Sequence, residues 1–192
     1  MPAGRPLNIC IATSEFAPFA KTGGLADVTA ALSAYLERQG HQIRVLMPDY
    51  ATLNQQGLQR APVDGLQNIP LHIGPHRGQV SIDVATLRGS TQHVYLLRCP
   101  ELYNRPGLYT EDADEHLRFA VLSRAAIEMC QHMGFAPDIF SCHDWHTALI
   151  PLYLKSVYAW DRLFANTRSV LTIHNIGYQG VFSANRLPDL RL

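Results

Sequence analysis

Two features of the 192-residue chain predict an α/β fold with a mostly parallel sheet. Short apolar runs alternate with segments of helical periodicity, and three of those runs end at polar residues, as strands buried on both faces do where they pass into loops. A helix-poor stretch between them predicts a β-rich insertion over residues 66–99 on the same frame.

Residues 7–13 form the first apolar run, which ends in Thr13, Ser14 and Glu15. Residues 24–39 then place Leu25, Val28, Leu32, Tyr35 and Leu36 at helical spacing, with Gly40 as the C-terminal stop. A strand over residues 42–47, stopped by Pro48, completes a strand, glycine turn, helix, strand unit of the length a right-handed crossover needs. In the insertion, residues 68–73, 79–87 and 93–99 read as strands punctuated by Gly74, Gly78 and Gly89, the last strand rejoining the main sheet. Residues 100–110 form a loop whose tyrosines either contact a ligand or pin the loop to the body. Asp112 and Glu115 have capping-box spacing at the head of a helix that runs to Met133. Its stripe of Phe119, Leu122, Ala126, Met129 and Met133 is core, and Gly134 ends it. A buried strand over residues 137–142, a helix over 145–158 and a strand over 168–173 make another crossover, followed by loop-like sequence over 175–192.

Sixteen acidic and sixteen basic residues cancel, so no overall field draws the chain to nucleic acid or to an anionic membrane surface. The first residues lack the pattern of a secretion signal and no apolar run approaches the ~20 residues of a membrane span, so a cytoplasmic location is expected. Cys10, Cys99, Cys130 and Cys142 are far apart and fall in strands or a helix, which favours reduced, buried thiols. His143 and His146 are the tightest histidine pair, but no third ligand has metal-site spacing, and no metal or cofactor is expected.

Lys21-Thr22-Gly23-Gly24 is the corner where the first strand gives way to its helix. Glycines admit positive φ and close approach of a ligand, and the first amides of a helix have no intrahelical partner, so the corner suits an anion. Only Lys21 and Lys155 are lysines, which makes Lys21 conspicuous. An ordinary turn with a solvated lysine is equally compatible with the spacing. The polar strand ends add weight: Glu15 after the first strand, His143 and Asp144 after the fourth crossover strand, and His174 and Asn175 after the last. In open α/β sheets such ends share one crevice, where strand order reverses. Gly23-Gly24 is neither the three-glycine dinucleotide fingerprint nor a P-loop, and no Gly-x-Ser-x-Gly elbow occurs. A phosphate-bearing ligand with a hydroxylated portion remains, and a sugar nucleotide has those halves.

Four motifs carry a resemblance: residues 14–28 from Ser14-Glu15 to Asp27-Val28; Leu102-Tyr103-Asn104-Arg105-Pro106-Gly107 with Tyr109; His143-Asp144-Trp145-His146; and residues 172–180 around His174-Asn175. In order and spacing the chain resembles the N-terminal domain of bacterial or plastid-type glycogen/starch synthases, from Ile9 to Phe182. The resemblance implies a Rossmann-like three-layer domain, the N-terminal half of a GT-B glycosyltransferase. It implies retaining transfer of glucose from ADP-glucose to the non-reducing end of an α-1,4-glucan. By this likeness Lys21, Gly23 and Gly24 contact the donor phosphates, supported by Asp27, and His174 binds the transferred glucose with Asp144 beside it. Trp145 and Asn175 shape the pocket, while Glu15 and Tyr109 face the acceptor glucan or the donor sugar.

Members of that family carry a second Rossmann-like domain that binds most of the nucleotide. The 192 residues are therefore expected to form a single truncated domain, inactive alone, with an exposed inter-domain face through which it self-associates. A non-catalytic glucan-binding or regulatory module of the same fold, and a UDP-glucose-using relative, stay open as alternatives.

Overall fold

The structure is a computed structural model that describes residues 5–55, 58–86 and 92–190; the expected Gly89 turn and the Leu87 end of its strand lie outside them. Along the chain come β1 (Asn8–Ala12), α1 (Gly24–Arg38), β2 (Gln42–Pro48), β3 (Gln59–Pro62), β4 (Ile69–Ile73), β5 (His76–Thr86) and β6 (His93–Arg98). They are followed by α2 (Pro100–Tyr103), α3 (Glu115–His132), β7 (Ile139–His143), α4 (Ile150–Lys155), β8 (Arg168–Thr172) and α5 (Leu187–Leu190).

The main sheet runs β3-β5-β6-β2-β1-β7-β8, with β4 paired to β5 off that path. From β6 to β8 all neighbours are parallel, whereas β3, β4 and β5 join antiparallel. The expected α/β frame with a β-rich insertion is thus borne out, and β6 is the strand that returns to the frame. Ile9, Cys10, Ile11 and Ala12 of β1, Val45 to Met47 of β2 and Phe140 of β7 are buried because central parallel strands are covered on both faces. After β1 the chain adds β2 and β6 on one side and later β7 and β8 on the other. Strand order therefore reverses between β1 and β7, which places a crevice at their carboxyl ends.

Both long helices stop as their glycines suggest. Gly40 has φ +88°, with His41 N–H bonded to the Leu36 carbonyl at 3.2 Å and Gly40 N–H to Glu37 at 2.9 Å. Gly134, at φ +60°, repeats the arrangement through Phe135 to Cys130 at 2.9 Å and Gly134 to Gln131 at 3.0 Å. Both are Schellman stops, which need the left-handed conformation that glycine adopts without strain.

Several local expectations are corrected. The buried face of α1 is Leu25, Ala26, Thr29 and Ser33, and Val28 and Tyr35 are exposed. Small residues let the helix lie close, and Thr29 Oγ1 donates to the Glu15 carbonyl at 3.0 Å, tying α1 to the end of β1. No capping box forms at α3: its N-cap is Asp114, which makes no side-chain capping bond, and Asp112 and Asp114 instead hold Arg105 at 2.8 and 2.6 Å. The helix expected over 145–158 is broken into a 3-10 turn at Trp145–Thr147 and the short α4, since Pro151 cannot donate within a continuous helix. The one-turn α2, the edge strand β3 and α5 appear where no regular structure was expected. All four cysteines are buried and free, and no helix among the described residues is long and apolar enough to cross a membrane.

Candidate functional site

At the corner after β1, Glu15 is buried and its carboxylate accepts from Thr22 N–H at 2.7 Å, Thr22 Oγ1 at 2.6 Å, Gly23 N–H at 3.3 Å and Tyr109 OH at 2.7 Å. The part of the corner expected to take an external anion thus already holds an internal one. What stays open is the start of α1, where the N-cap Gly23 has no side chain to offer its first amides. Gly23 is extended, at φ −147°, and neither it nor Gly24 has positive φ, contrary to the expected reason for them. Their use is space: a Cβ at either would meet nothing within 4 Å. Lys21 and Asp27 do not reach the cleft wall; they bind each other at 2.7 and 2.8 Å, with both side chains more than half exposed.

β7 and β8 bring the second group of residues together. Their register sets His143 opposite Thr172, so the two loops leave the sheet side by side. Asp144 turns there with φ +55° and ψ −173°, a conformation that a non-glycine residue holds only where its surroundings fix it. The fixing bonds are Asp144 N–H to the Thr172 carbonyl at 2.9 Å and His174 N–H to Asp144 Oδ1 at 2.7 Å. His143 Nδ1 and His174 Nε2 share a hydrogen bond of 2.9 Å, which leaves His174 Nδ1 as its other polar edge. Burial, with a smaller effect of His174, pushes the His143 imidazole down to about 4, so it is neutral at pH 7.

An aromatic wall joins the two groups. Tyr109 donates to Glu15, pairs with Ser14 Oγ at 2.9 Å and stacks on His146 at 4.9 Å, and burial first of all raises its phenol above the ordinary range. Trp145 packs edge-on to Phe119 at 4.9 Å and meets Phe182 at 5.4 Å. The chain after β8 folds back over Trp145 so closely that a Cβ on Gly180 would lie 2.3 Å from the indole.

The result is one cleft of about 870 Å³ at the switch point, lined by Glu15, Gly23, Gly24, Tyr109, Asp144, Trp145, His174 and Asn175 among others. Sequence reasoning missed Thr22, Glu115, His146 and the wall from Gly177 to Phe182, which also line it. Glu115 was legible in principle as a charge beside an apolar helical stripe, paired three residues on with Arg118 at 2.7 Å. Among the described residues no His, Cys, Asp and Glu cluster could hold a metal ion.

Fold and cleft together define a doubly wound α/β domain that presents helix-start amides and a carboxylate–imidazole rim to one cleft. The chain belongs to the starch synthase catalytic domain family, which it matches over residues 8–192. It is 42% identical over 192 residues to a glycogen synthase of Photobacterium profundum, covering 96% of this chain and 37% of that protein. To glycogen synthase 1 of Geobacter sulfurreducens it is 44% identical over 182 residues, covering 92% and 36%. The catalytic domain of starch synthase IV from Arabidopsis thaliana, solved bound to ADP and acarbose, superposes with a TM-score of 0.86 at 31% identity, covering 98% of this chain and 38% of that one. The chain thus spans little more than a third of the relatives it matches, and its fold is that of a GT-B glycosyltransferase half.

Proposed function

We propose that this chain supplies one wall of the active site of a retaining glucosyltransferase, which moves glucose from ADP-glucose to the non-reducing end of an α-1,4-glucan. The observation that carries this is the convergence of the Gly23-Gly24 helix start with Glu15, Asp144 and His174 in one cleft. An anion and a hydroxylated ring both find partners there. The Arabidopsis relative, bound to ADP and acarbose, supports the same pairing of ligands.

In this function the open amides at the start of α1, from Gly24 on, face the leaving diphosphate, with Gly23 giving it room and Asn175 across the cleft. Lys21 exchanges Asp27 for the phosphates; an exposed pair of that kind is worth about 0–1 kcal/mol, so the exchange is cheap. Asp144 and His174 hold the transferred glucose, Trp145 shapes its pocket, and Glu15 and Tyr109 face the acceptor. The acceptor hydroxyl attacks on the face from which the diphosphate leaves. The protein's task is to neutralise that diphosphate and keep water out. The chain acts as one domain, and a second Rossmann-like domain completes the nucleotide site by closing on the exposed apolar rim of Ile176, Tyr178 and Val181. In isolation the same rim drives self-association.

In the complete transferase, His174→Ala should lower kcat on ADP-glucose and glycogen by at least about 100-fold. Near-normal turnover would refute the assignment. Lys21→Ala should weaken ADP-glucose binding by about 10- to 100-fold through loss of a charge-assisted contact. Calorimetry that finds an unchanged dissociation constant removes Lys21 from the site, and UDP-glucose run alongside reports the donor base.

A further inference from the structure

Beyond β8 the chain leaves the sheet and lays residues 177–182 along the cleft as its outer wall. Among the described residues, the hydrogen bonds of 175–183 stay within that stretch and the turn after it, as in Tyr178 N–H to the Asn175 carbonyl at 3.1 Å and Arg186 N–H to the Ser183 carbonyl at 3.0 Å. Packing alone joins this wall to the body: Gly180 lies over Trp145, and Phe182 meets Trp145 at 5.4 Å and His116 at 5.5 Å. Apolar contact is non-directional, so it does not by itself fix where the wall stands.

The directional bonds come from α5. Asp189 Oδ2 accepts from His116 Nε2 of α3 at 2.8 Å and Oδ1 from His76 Nε2 of β5 at 3.1 Å, so one carboxylate ties the chain to a helix and to a hairpin. Its carboxyl is held below the usual carboxylate range, first of all by the His116 hydrogen bond, and as an anion it can accept from both rings. His116 is buried and its Nδ1 has no partner among the described residues, which leaves Asp189 as the hydrogen-bond partner of that ring. The hairpin closes on α5 from the other side: Gly74 has φ +52°, and a Cβ there would lie 2.3 Å from the Pro188 carbonyl oxygen. Only glycine permits so close an approach. Tyr153 OH adds a bond to the Leu190 carbonyl at 3.2 Å. His116 therefore meets the clamp through Nε2 and the wall through Phe182.

We propose that Asp189 is a positioning residue of the active site: by clamping α5 to α3 and to the β4–β5 hairpin it keeps His116 against Phe182, and so holds residues 177–182 over Trp145 as a closed wall. The inference rests on the function proposed above and adds to it a residue that shapes the pocket from outside, since Asp189 does not line the cleft. Without the clamp, a bound ligand must itself order the wall, and affinity falls.

The test uses the complete transferase labelled with fluorotryptophan, in which the fluorine resonance lost in Trp145→Phe is that of Trp145. Asp189→Ala should shift this resonance and make it respond to exchange of light for heavy water, as an indole newly open to solvent does. His76→Ala, which removes the exposed arm of the clamp, should act in the same direction to a smaller degree. Asp189→Asn, which keeps an acceptor for one ring, should lie nearer to wild type. In turnover, Asp189→Ala should raise KM for ADP-glucose or for glycogen about three- to tenfold while kcat stays within about twofold. A folded Asp189→Ala protein with the wild-type Trp145 resonance overturns the proposal; if that variant does not fold, an unmoved resonance in His76→Ala does so. A moved resonance with both KM values unaltered overturns it too, because the wall would then be held without consequence for the site. A wild-type enzyme that transfers no glucose refutes the proposed function and this inference together, whereas normal transfer by wild type and by folded Asp189→Ala alike refutes the inference alone.

Discussion

Gly24 and Gly180 are glycines for opposite reasons, and substitution separates them. An added Cβ at Gly24 meets nothing within 4 Å and the residue has no positive φ, so Gly24→Ala at the first turn of α1 should leave the melting temperature unchanged or slightly raised. The methyl group would stand in the cleft where a ligand approaches the helix start, so donor affinity should fall about tenfold. A melting temperature several degrees lower would show that the corner packs more tightly than described. Gly180 has φ +61° and its added Cβ would sit 2.3 Å from Trp145. Gly180→Ala should therefore cost about 1–3 kcal/mol and alter the indole fluorescence as the loop lifts. Unchanged fluorescence would contradict the packing. The Gly-Gly corner was legible as part of a candidate site, and it does line the cleft, but the backbone property that pointed to it is one its glycines do not use. Gly180 stood at the end of a recognisable motif without any local sign that an indole lay beneath it.

Helix α3 shows the limit of periodicity at the level of one element. Its apolar stripe was legible and is buried, yet the same face takes in Glu115 and Arg118, and a hydrophobic pattern does not say that a charge pair is enclosed with it. The pair has structural work: Glu115 accepts from Thr110 Oγ1 at 2.7 Å and Arg118 Nη1 at 2.7 Å, and Arg118 Nε donates to the Leu102 carbonyl at 2.8 Å. Glu115→Ala would leave a buried guanidinium without its counterion, which typically costs about 3–5 kcal/mol. It would also free Thr110, beside the Tyr109 that binds Glu15. Urea unfolding should show the midpoint fall sharply, and Glu115→Gln, which keeps acceptor capacity, should lose less. Equal stability of Glu115→Ala and wild type would mean the pair is not enclosed as described. The interruption at α4 is, by contrast, readable, since Pro151 lies inside the stretch whose pattern predicts one helix.

At the scale of the whole molecule, the crossovers and the meeting of strand ends were legible because parallel strands announce themselves by short apolar runs and polar exits. What was hidden depends on contacts distant in sequence. β3 is exposed along its length, and the chain beyond β8 folds back on Trp145 with α5 held by Asp189 between His76 and His116 at 3.1 and 2.8 Å. The site's interior sets a further whole-molecule property, the response to acid. His143 and His146 are buried and neutral, with folded values of about 4 and about 3 against an ordinary 6.5 in the unfolded chain, each caused chiefly by burial. Between the folded and unfolded values the unfolded state binds more protons, so acid favours unfolding. Their stabilisation is fully present above about pH 6.5 and is lost as pH falls towards 4 for His143 and 3 for His146. By pH 5 each should have removed about 2 kcal/mol. The carboxylates held low, Asp114 by Arg105 and Asp189 by its histidines, act only below their ordinary value of 3.8 and so leave that window to the imidazoles. Urea unfolding at pH 7.5, 6 and 5 should therefore show stability falling by about 4 kcal/mol in all. A flat profile over that range would mean that at least one of the two rings is protonated, or open to water, in the folded protein.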